Sequence, residues 1–261
     1  MGIVKKDKEV QQQAAEVVRD KFDLRNFKKR KGFTSESVRY KPLKWIPLSK
    51  AFQSVTSIPG IPMGHITMLR GHSDTGKTTT LLETAASCQR MGILPVFIIT
   101  EMKWTWDFAR SMGVQFEEVV DKETGEITGY DGFFLYVDRS TLGTIEDVAS
   151  YIADLLDEQA KGKLPYNLCF LWDSMGSIPC RMSVESKSNS NMWNAGAMSL
   201  QFGGFIDQKI ILSRKESSPY TNTLVLVSKI WVSPPESPMG SPKVNSKGGE
   251  ALYYDSSLCI S

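Results

Sequence analysis

Histidine is nearly absent from this chain. His65 and His72 are the only two in 261 residues, too few for a histidine-based metal site. Cysteine is scarce as well. Cys88, Cys169, Cys180 and Cys259 form no C-x-x-C pair, and three of them lie in or beside apolar segments, which predicts reduced, buried thiols in a cytosolic protein. No apolar run reaches the roughly 18 residues that a bilayer span needs. The N-terminus, Met1-Gly2-Ile3-Val4-Lys5-Lys6, lacks the apolar core of a signal peptide. Lys6 stands where a myristoylation signal has Ser or Thr. These absences predict a cytoplasmic protein with no membrane partner. There is no internal repeat. What remains is ordinary globular composition, 41% hydrophobic and 23% charged, enough for one large α/β domain with a small appendage.

The net charge of +2 hides an asymmetry. Residues 1–50 hold 14 Lys/Arg against 6 Asp/Glu, a balance of +8, so the remainder carries −6. A basic head on a mildly acidic body points to a polyanion or an acidic neighbouring subunit as its partner, or to a solvated arm. Apolar residues at Val10, Ala14, Val17, Val18 and Phe22 give one helical stripe over residues 10–22. The cationic run 27–32 is expected to be a linker. Residues 1–40 are therefore assigned to an N-terminal helix and basic arm, and 41–261 to the main domain.

The most specific signal is Gly71-His72-Ser73-Asp74-Thr75-Gly76-Lys77-Thr78. It has the G-x-x-x-x-G-K-T spacing of a phosphate-binding loop. The glycines permit backbone angles and a close approach that a side chain would block. Consecutive backbone N–H groups then face an anion at the start of a helix. Lys77 neutralises the outer phosphates, and the Thr78 hydroxyl completes the shell of a magnesium ion, which takes few protein ligands. The flanks agree, with a strand pattern over 65–70 and a helix pattern over 78–91. His72 is a variable position within the loop.

Further apolar runs predict strands at 95–100, 133–137, 168–172, 223–227 and 251–260. Residues 117–120 and 127–130 read as a hairpin around the turn Asp121-Lys122-Glu123-Thr124-Gly125-Glu126. Helices are expected at 104–112, 144–160 and 192–212. Residues 181–191 and 233–249 read as polar, mobile loops. Alternating buried strands and helices imply an α/β fold, a mostly parallel, twisted sheet with helices on both faces. Such sheets bind ligands at the C-terminal ends of their strands. Glu101, Asp173 and Lys229 each follow an apolar strand, so all three should join the phosphate loop on one edge.

That placement assigns roles. Asp173 is the acidic partner of Thr78 around magnesium, or a helix cap. Glu101 is the carboxylate that orients the attacking water, or a salt-bridged surface residue. Lys229 contacts the γ-phosphate, or is a solvated lysine. Phe108 and Trp106 are candidates to stack on a base, or belong to the core. The candidate nucleotide contacts are residues 71–79 (Gly71, His72, Ser73, Asp74, Thr75, Gly76, Lys77, Thr78 and Thr79) with Phe108 and Lys229; Lys77 and Glu101 are the catalytic pair. Arg181 and Lys187 on the first loop, with Trp231, Lys243 and Lys247 on the second, offer cations and an aromatic to single-stranded nucleic acid, or are ordinary surface residues.

Together these features resemble the RecA recombinase family, including its phage UvsX-type members. Gly60-Ile61-Pro62-Met63-Gly64-His65-Ile66 is similar to the family's entry into its first core strand. Phe97-Ile98-Ile99-Thr100-Glu101, followed by Phe108-Ala109-Arg110-Ser111-Met112-Gly113-Val114, resembles the catalytic-glutamate strand and its helix. Leu171-Trp172-Asp173-Ser174 resembles the Walker B strand, and Gly248-Gly249-Glu250-Ala251-Leu252 the segment that closes the second DNA-binding loop. The resemblance implies a RecA-like ATPase core using ATP and Mg2+. It implies a helical homo-oligomer on single-stranded DNA that pairs with homologous duplex DNA in recombination and repair. It also implies that the N-terminal segment packs on the next subunit. Three departures stand out, one being that the two DNA-binding loops are unusual in sequence. Lys229 occupies the position of the family's usual glutamine, and the chain ends at Ser261 before further strands that the family carries, as a fragment, a split-gene product or a natural truncation would. The other readings are an ATP-switched DNA-binding scaffold with little hydrolysis and a helicase-like motor; Glu101 and Gly248-Gly249 argue against a small-molecule kinase.

Overall fold

The computed structural model describes residues 23–31, 39–187, 191–233, 243–246 and 256–260. The chain divides into two compact units, Met1–Tyr40 and Lys41–Ser261. In the first, the expected helix at 10–22 lies outside the described residues. The cationic run expected as a linker is instead largely helix α1 (Leu24–Arg30). Asp23 caps it by accepting the Asn26 backbone N–H at 2.9 Å. Lys28, Lys29 and Arg30 fill the last turn, where cations favour the helix dipole.

The second unit begins with a small antiparallel pair, β1 (Trp45–Pro47) and β2 (Gly60–Pro62), around helix α2 (Lys50–Thr56). Then come β3 (Ile66–Gly71), α3 (Lys77–Arg90), β4 (Leu94–Ile99), α4 (Trp106–Ser111), the hairpin β5 (Glu117–Val120) and β6 (Ile127–Asp131), β7 (Leu135–Asp138) and α5 (Ile145–Ala160). After β8 (Leu168–Asp173) follow α6 (Arg181–Glu185), α7 (Asn191–Met198), a π-helical stretch Ser199–Ile206, and α8 (Asp207–Leu212). The chain continues with β9 (Thr223–Ser233), β10 (Lys243–Ser246) and β11 (Leu258–Ile260). Six strands form a parallel sheet in the order β11–β3–β9–β8–β4–β7. This is an α/β fold.

The period of two along each strand sorts the core into two layers. Val96 and Ile98 of β4, Phe170 and Trp172 of β8, and Leu224 and Leu226 of β9 face α5 and the 191–212 helix. Phe97, Ile99, Leu171, Val225 and Val227 face α3 through Leu81, Leu82 and Ala85. Both faces are covered, so the strands read as unbroken apolar runs rather than alternating ones. Helix α5 starts at a reciprocal cap, with Asp147 N–H bonded to Thr144 Oγ1 and Thr144 N–H to Asp147 Oδ2. Cys88, Cys169 and Cys180 are buried free thiols, and Cys259 is half-buried.

Three expectations are corrected. The first loop, 181–191, is partly helical: Arg181–Glu185 forms α6, and α7 already starts at Asn191. The N–H of Arg181 is held by Glu146 Oε2 at 2.8 Å, and that of Cys180 by Asn194 Oδ1 at 2.8 Å; these side chains supply the cap that composition does not reveal. The second loop is partly strand. β9 runs on to Ser233 and pairs with β10, setting Trp231 opposite Asn245 and Ser233 opposite Lys243; β-branched Ile230, Val232 and Val244 suit such a ladder. The 192–212 helix is continuous but widens to π-geometry across Gly203-Gly204, where intrinsic α-preference is weakest. Of the final strand expected at 251–260, residues 258–260 are strand and 251–255 lie outside the described residues.

Candidate nucleotide-binding site

All six parallel strands end on one edge, and the loop 71–77 leaves the end of β3 there. Gly76 sits at φ +85° as the N-cap of α3, a left-handed conformation that glycine adopts without a Cβ penalty. A Cβ on Gly71 would come within 2.6 Å of Thr75 Oγ1. Lys77 curls back over the loop, donating to His72 O and to Thr75 Oγ1, the latter at 3.3 Å. Burial, and then the nearby Lys229, lower its pKa from the usual lysine value, against the opposing pull of Asp173, Glu101 and Asp74. A half-buried cation beside another cation is a site that an anion relieves.

Strand register brings the other groups to the loop. Ile99 pairs with Asp173 across β4 and β8, so the next residues, Thr100 and Glu101, pass beside the end of β8; both their N–H groups bond Asp173 O, at 2.8 and 3.2 Å. Gly71 pairs with Lys229 across β3 and β9. The Thr78 hydroxyl donates to Asp173 Oδ2 at 2.6 Å. A hydroxyl and one carboxylate, both hard oxygen donors at the mouth of the loop, fit magnesium, which keeps most of its waters. The peptide bond between Asp173 and Ser174 is cis.

Glu101 has two partners on a single oxygen. Ser174 Oγ donates to Oε1 at 2.8 Å, and Lys229 Nζ pairs with it at 2.8 Å. Burial works against the charge on Glu101, but the hydrogen bonds from Lys229 and Ser174 outweigh it and hold the carboxyl below its usual pKa. Asp173 is the opposite case. Burial raises its pKa, the Thr78 bond opposes this, and the neighbouring Glu101 adds to the rise. One carboxylate is held ready as an acceptor, while the other is destabilised until a cation arrives.

A group with a raised carboxyl pKa favours folding when protonated, and that contribution is lost as pH rises through the folded-state value. At neutral pH the charge on Asp173 therefore costs stability. Asp173→Asn keeps the Thr78 partner and removes the charge. It is expected to stabilise the metal-free protein by about 1 kcal/mol, a few degrees in Tm, and to flatten the loss of stability between acid and neutral pH. Thermal melts across pH, with and without Mg-ADP, test this; an unchanged or lower Tm without magnesium contradicts it.

Beside these groups lies a cleft of about 620 Å3 lined by Ser73, Glu101, Ser174 and Lys229 among others; Lys77, Thr78 and Asp173 do not line it. The structure thus brings together residues 71–78, Glu101, Asp173 and Lys229. Thr79 follows on the first turn of α3. Phe108, on α4, is 41% exposed and does not line the cleft. Trp106 belongs to an aromatic cluster, in which Tyr130 stacks on it at 4.5 Å and Phe116, Phe134 and Tyr136 surround it. Arg181 is drawn to Asp147 at 3.2 Å. Lys187 is exposed at the end of α6. Trp231 and Lys243 lie on the β9–β10 hairpin, and Lys247 is outside the described residues. Sequence reading missed Ser174 and Ser177. Ser177 Oγ donates at 2.6 Å to Thr100 Oγ1, beside the Ser174 that holds Glu101. The only signal for them was the position of Ser174 directly after Asp173.

Residues 44–128 match the family described as RecA N-terminal domain. Over that segment the chain is similar to RecA proteins. The chain is 36% identical over 74 residues to Protein RecA of Ureaplasma parvum serovar 3, covering 28% of this chain and 22% of that protein. It is 37% identical over 71 residues to Protein RecA of Legionella pneumophila, covering 26% of this chain and 20% of that protein. These matches span about a fifth of the length of the RecA proteins concerned. The RecA-like segment carries the phosphate loop, Glu101 and Phe108; Asp173 and Lys229 lie beyond it, and the parallel α/β sheet places them against it. No helix among the described residues is long and apolar enough to cross a membrane.

Proposed function

We propose that this chain is an ATP-dependent recombinase, which assembles as a helical homo-oligomer on single-stranded DNA and pairs that strand with a homologous duplex. The observation that carries this reading is the convergence on one sheet edge of the phosphate loop, the Thr78–Asp173 pair and an ionised Glu101. In it the loop N–H groups and Lys77 hold the phosphates of ATP. Thr78 and Asp173 hold Mg2+, which when bound withdraws charge from the phosphoryl oxygens. Glu101 accepts a hydrogen bond from the attacking water and directs it in line. Lys229 sits between Glu101 and the loop at the point where β9 leaves the sheet for the β9–β10 hairpin, so it links the nucleotide to the segment carrying Trp231 and Lys243. Arg181, Lys187, Trp231, Lys243 and Lys247 supply DNA contacts, and the basic head faces a neighbouring subunit or the strand.

The test is ATP hydrolysis with and without single-stranded DNA, using Lys77→Ala as the blank. Hydrolysis stimulated by DNA and abolished, at least a hundredfold, in Lys77→Ala is expected. Hydrolysis with no response to DNA contradicts the reading. A second reading has one observation in its favour: Lys229 already pairs with Glu101, at 2.8 Å, and so offsets its negative charge. In it the chain is an ATP-switched DNA-binding scaffold with little turnover, recognised by nucleotide-dependent DNA binding without hydrolysis.

A further inference from the structure

Arg139 is a cation to which none of the sequence patterns pointed. It directly follows β7, so it stands on the same sheet edge as the phosphate loop. It lines the cleft beside Glu101 and Ser174. It also lines a second hollow of about 380 Å3, with Ser177, Ser183, Lys187 and Asn194. Arg139 and Ser177 belong to both walls, so the two hollows form one trough from the phosphate loop to α6.

The character of the trough changes along its length. The nucleotide end holds a carboxylate, Glu101, already paired with Lys229. The far end has two cations and no carboxylate in its lining. Arg181, on the same short helix, is engaged by Asp147, but among the described residues neither Arg139 nor Lys187 has an acidic partner within 4.0 Å. Both side chains are exposed. Their backbones, by contrast, are fixed. Asp138, beside Arg139, accepts the Ser140 N–H at 2.9 Å. Lys187, two residues past the end of α6, has φ +51°, with its N–H bonded to Val184 O at 3.2 Å. Between them the floor is neutral and ordered: Ser183 and Asn194 are 5% and 6% exposed, and Ser183 Oγ donates to Asn194 Oδ1 at 3.2 Å.

Exposed, unneutralised cations over a hydroxyl and amide floor suit a chain of phosphodiesters: the cations meet the charge, and the floor reads no base edge. We propose that Arg139 and Lys187 form a phosphodiester subsite, which holds the backbone of a single strand beside the nucleotide cleft. The subsite rests on the recombinase reading and adds Arg139 to it. It adjoins the catalytic group, because Ser177 lines the subsite with its Oγ 2.6 Å from Ser174 O, and Ser174 in turn holds Glu101.

The experiment is fluorescence anisotropy of a labelled oligothymidylate, with the full chain, Mg2+ and a non-hydrolysable ATP analogue, over a salt series. Arg139→Gln is expected to weaken binding several-fold and to flatten the slope of log affinity against log salt by about 0.7 for the lost phosphate contact. Arg139→Lys, which keeps the charge, retains the slope. Affinity for ADP, measured separately by calorimetry, stays at the wild-type value. A wild-type slope in Arg139→Gln overturns the subsite while leaving strand binding intact. Loss of ADP affinity in Arg139→Gln also overturns it, because Arg139 then serves the nucleotide. Failure of the wild-type chain to bind the oligonucleotide removes the recombinase reading as well as the subsite.

Discussion

Glu101→Gln is expected to leave ATP binding intact and to slow hydrolysis by about 10²–10⁴-fold, the usual range for a positioned general base. The substitution is nearly isosteric. The amide oxygen still accepts from Ser174 and Lys229, the two partners at 2.8 Å, so the edge of the sheet keeps its shape. What is lost is the negative charge. In the wild type, Lys229 and Ser174 hold the carboxyl below its usual pKa against the cost of burial, so Glu101 is ionised at neutral pH and its second oxygen can accept from water. An amide has one acceptor oxygen and presents a donor on the other side, which turns a water the wrong way. Binding is measured by calorimetry with ATP and Mg2+, and turnover by phosphate release. Equal turnover by Glu101→Gln and wild type would remove Glu101 from the chemistry. The ion pair also lowers the basicity of Glu101, so Lys229 moving off Oε1 would make Glu101 a better proton acceptor. Half-exposed, at 44%, Lys229 is held only weakly by this pair, so a γ-phosphate within reach competes for it readily.

The elements legible in the sequence are those governed by local pattern. Runs such as Leu168–Trp172 are apolar throughout because both faces are covered, and the 145–160 helix shows its stripe because one face is buried. The phosphate loop is legible because its backbone angles demand glycine at Gly76. What was not legible depends on partners distant in sequence. Residues 181–185 are too polar and too few to announce a helix; Glu146 and Asn194 make it one by capping its start from other elements. Trp231 sits in a strand because of its pairing with Asn245, across a segment whose Ser, Pro and Gly content reads as loop. Arg139 escaped notice for a related reason. It follows an unremarkable strand, and only the parallel order β8–β4–β7 sets it beside Ser177 and Lys187. The site residues found by sequence are those that directly follow an apolar strand, where the fold class alone predicts the edge.

Trp172→Ala is expected to cost about 3–5 kcal/mol, the range for truncating a large buried aromatic, which lowers Tm by roughly 6–20 °C for a domain of this size. Trp172 is fully buried in the middle strand of the sheet, with its ring against Phe202 at 5.0 Å between centroids. It is also a polar strut. Its Nε1–H donates to Thr100 Oγ1 at 3.0 Å, the oxygen that also accepts from Ser177. Trp172→Phe separates the two contributions: it fills much of the cavity but removes the donor, and it should cost about 1–2 kcal/mol. Because Thr100 and Asp173 flank the strut on either side, the two variants should differ in function as well. Trp172→Phe is expected to keep Mg-ADP binding within a few-fold while lowering turnover, as Glu101 is one residue beyond Thr100. Denaturant unfolding gives the stability change and calorimetry the binding. A Trp172→Ala midpoint within 1 kcal/mol of wild type would mean that Phe202 and the widened π-turn collapse into the space, and that the sheet rather than this side chain sets the position of the edge.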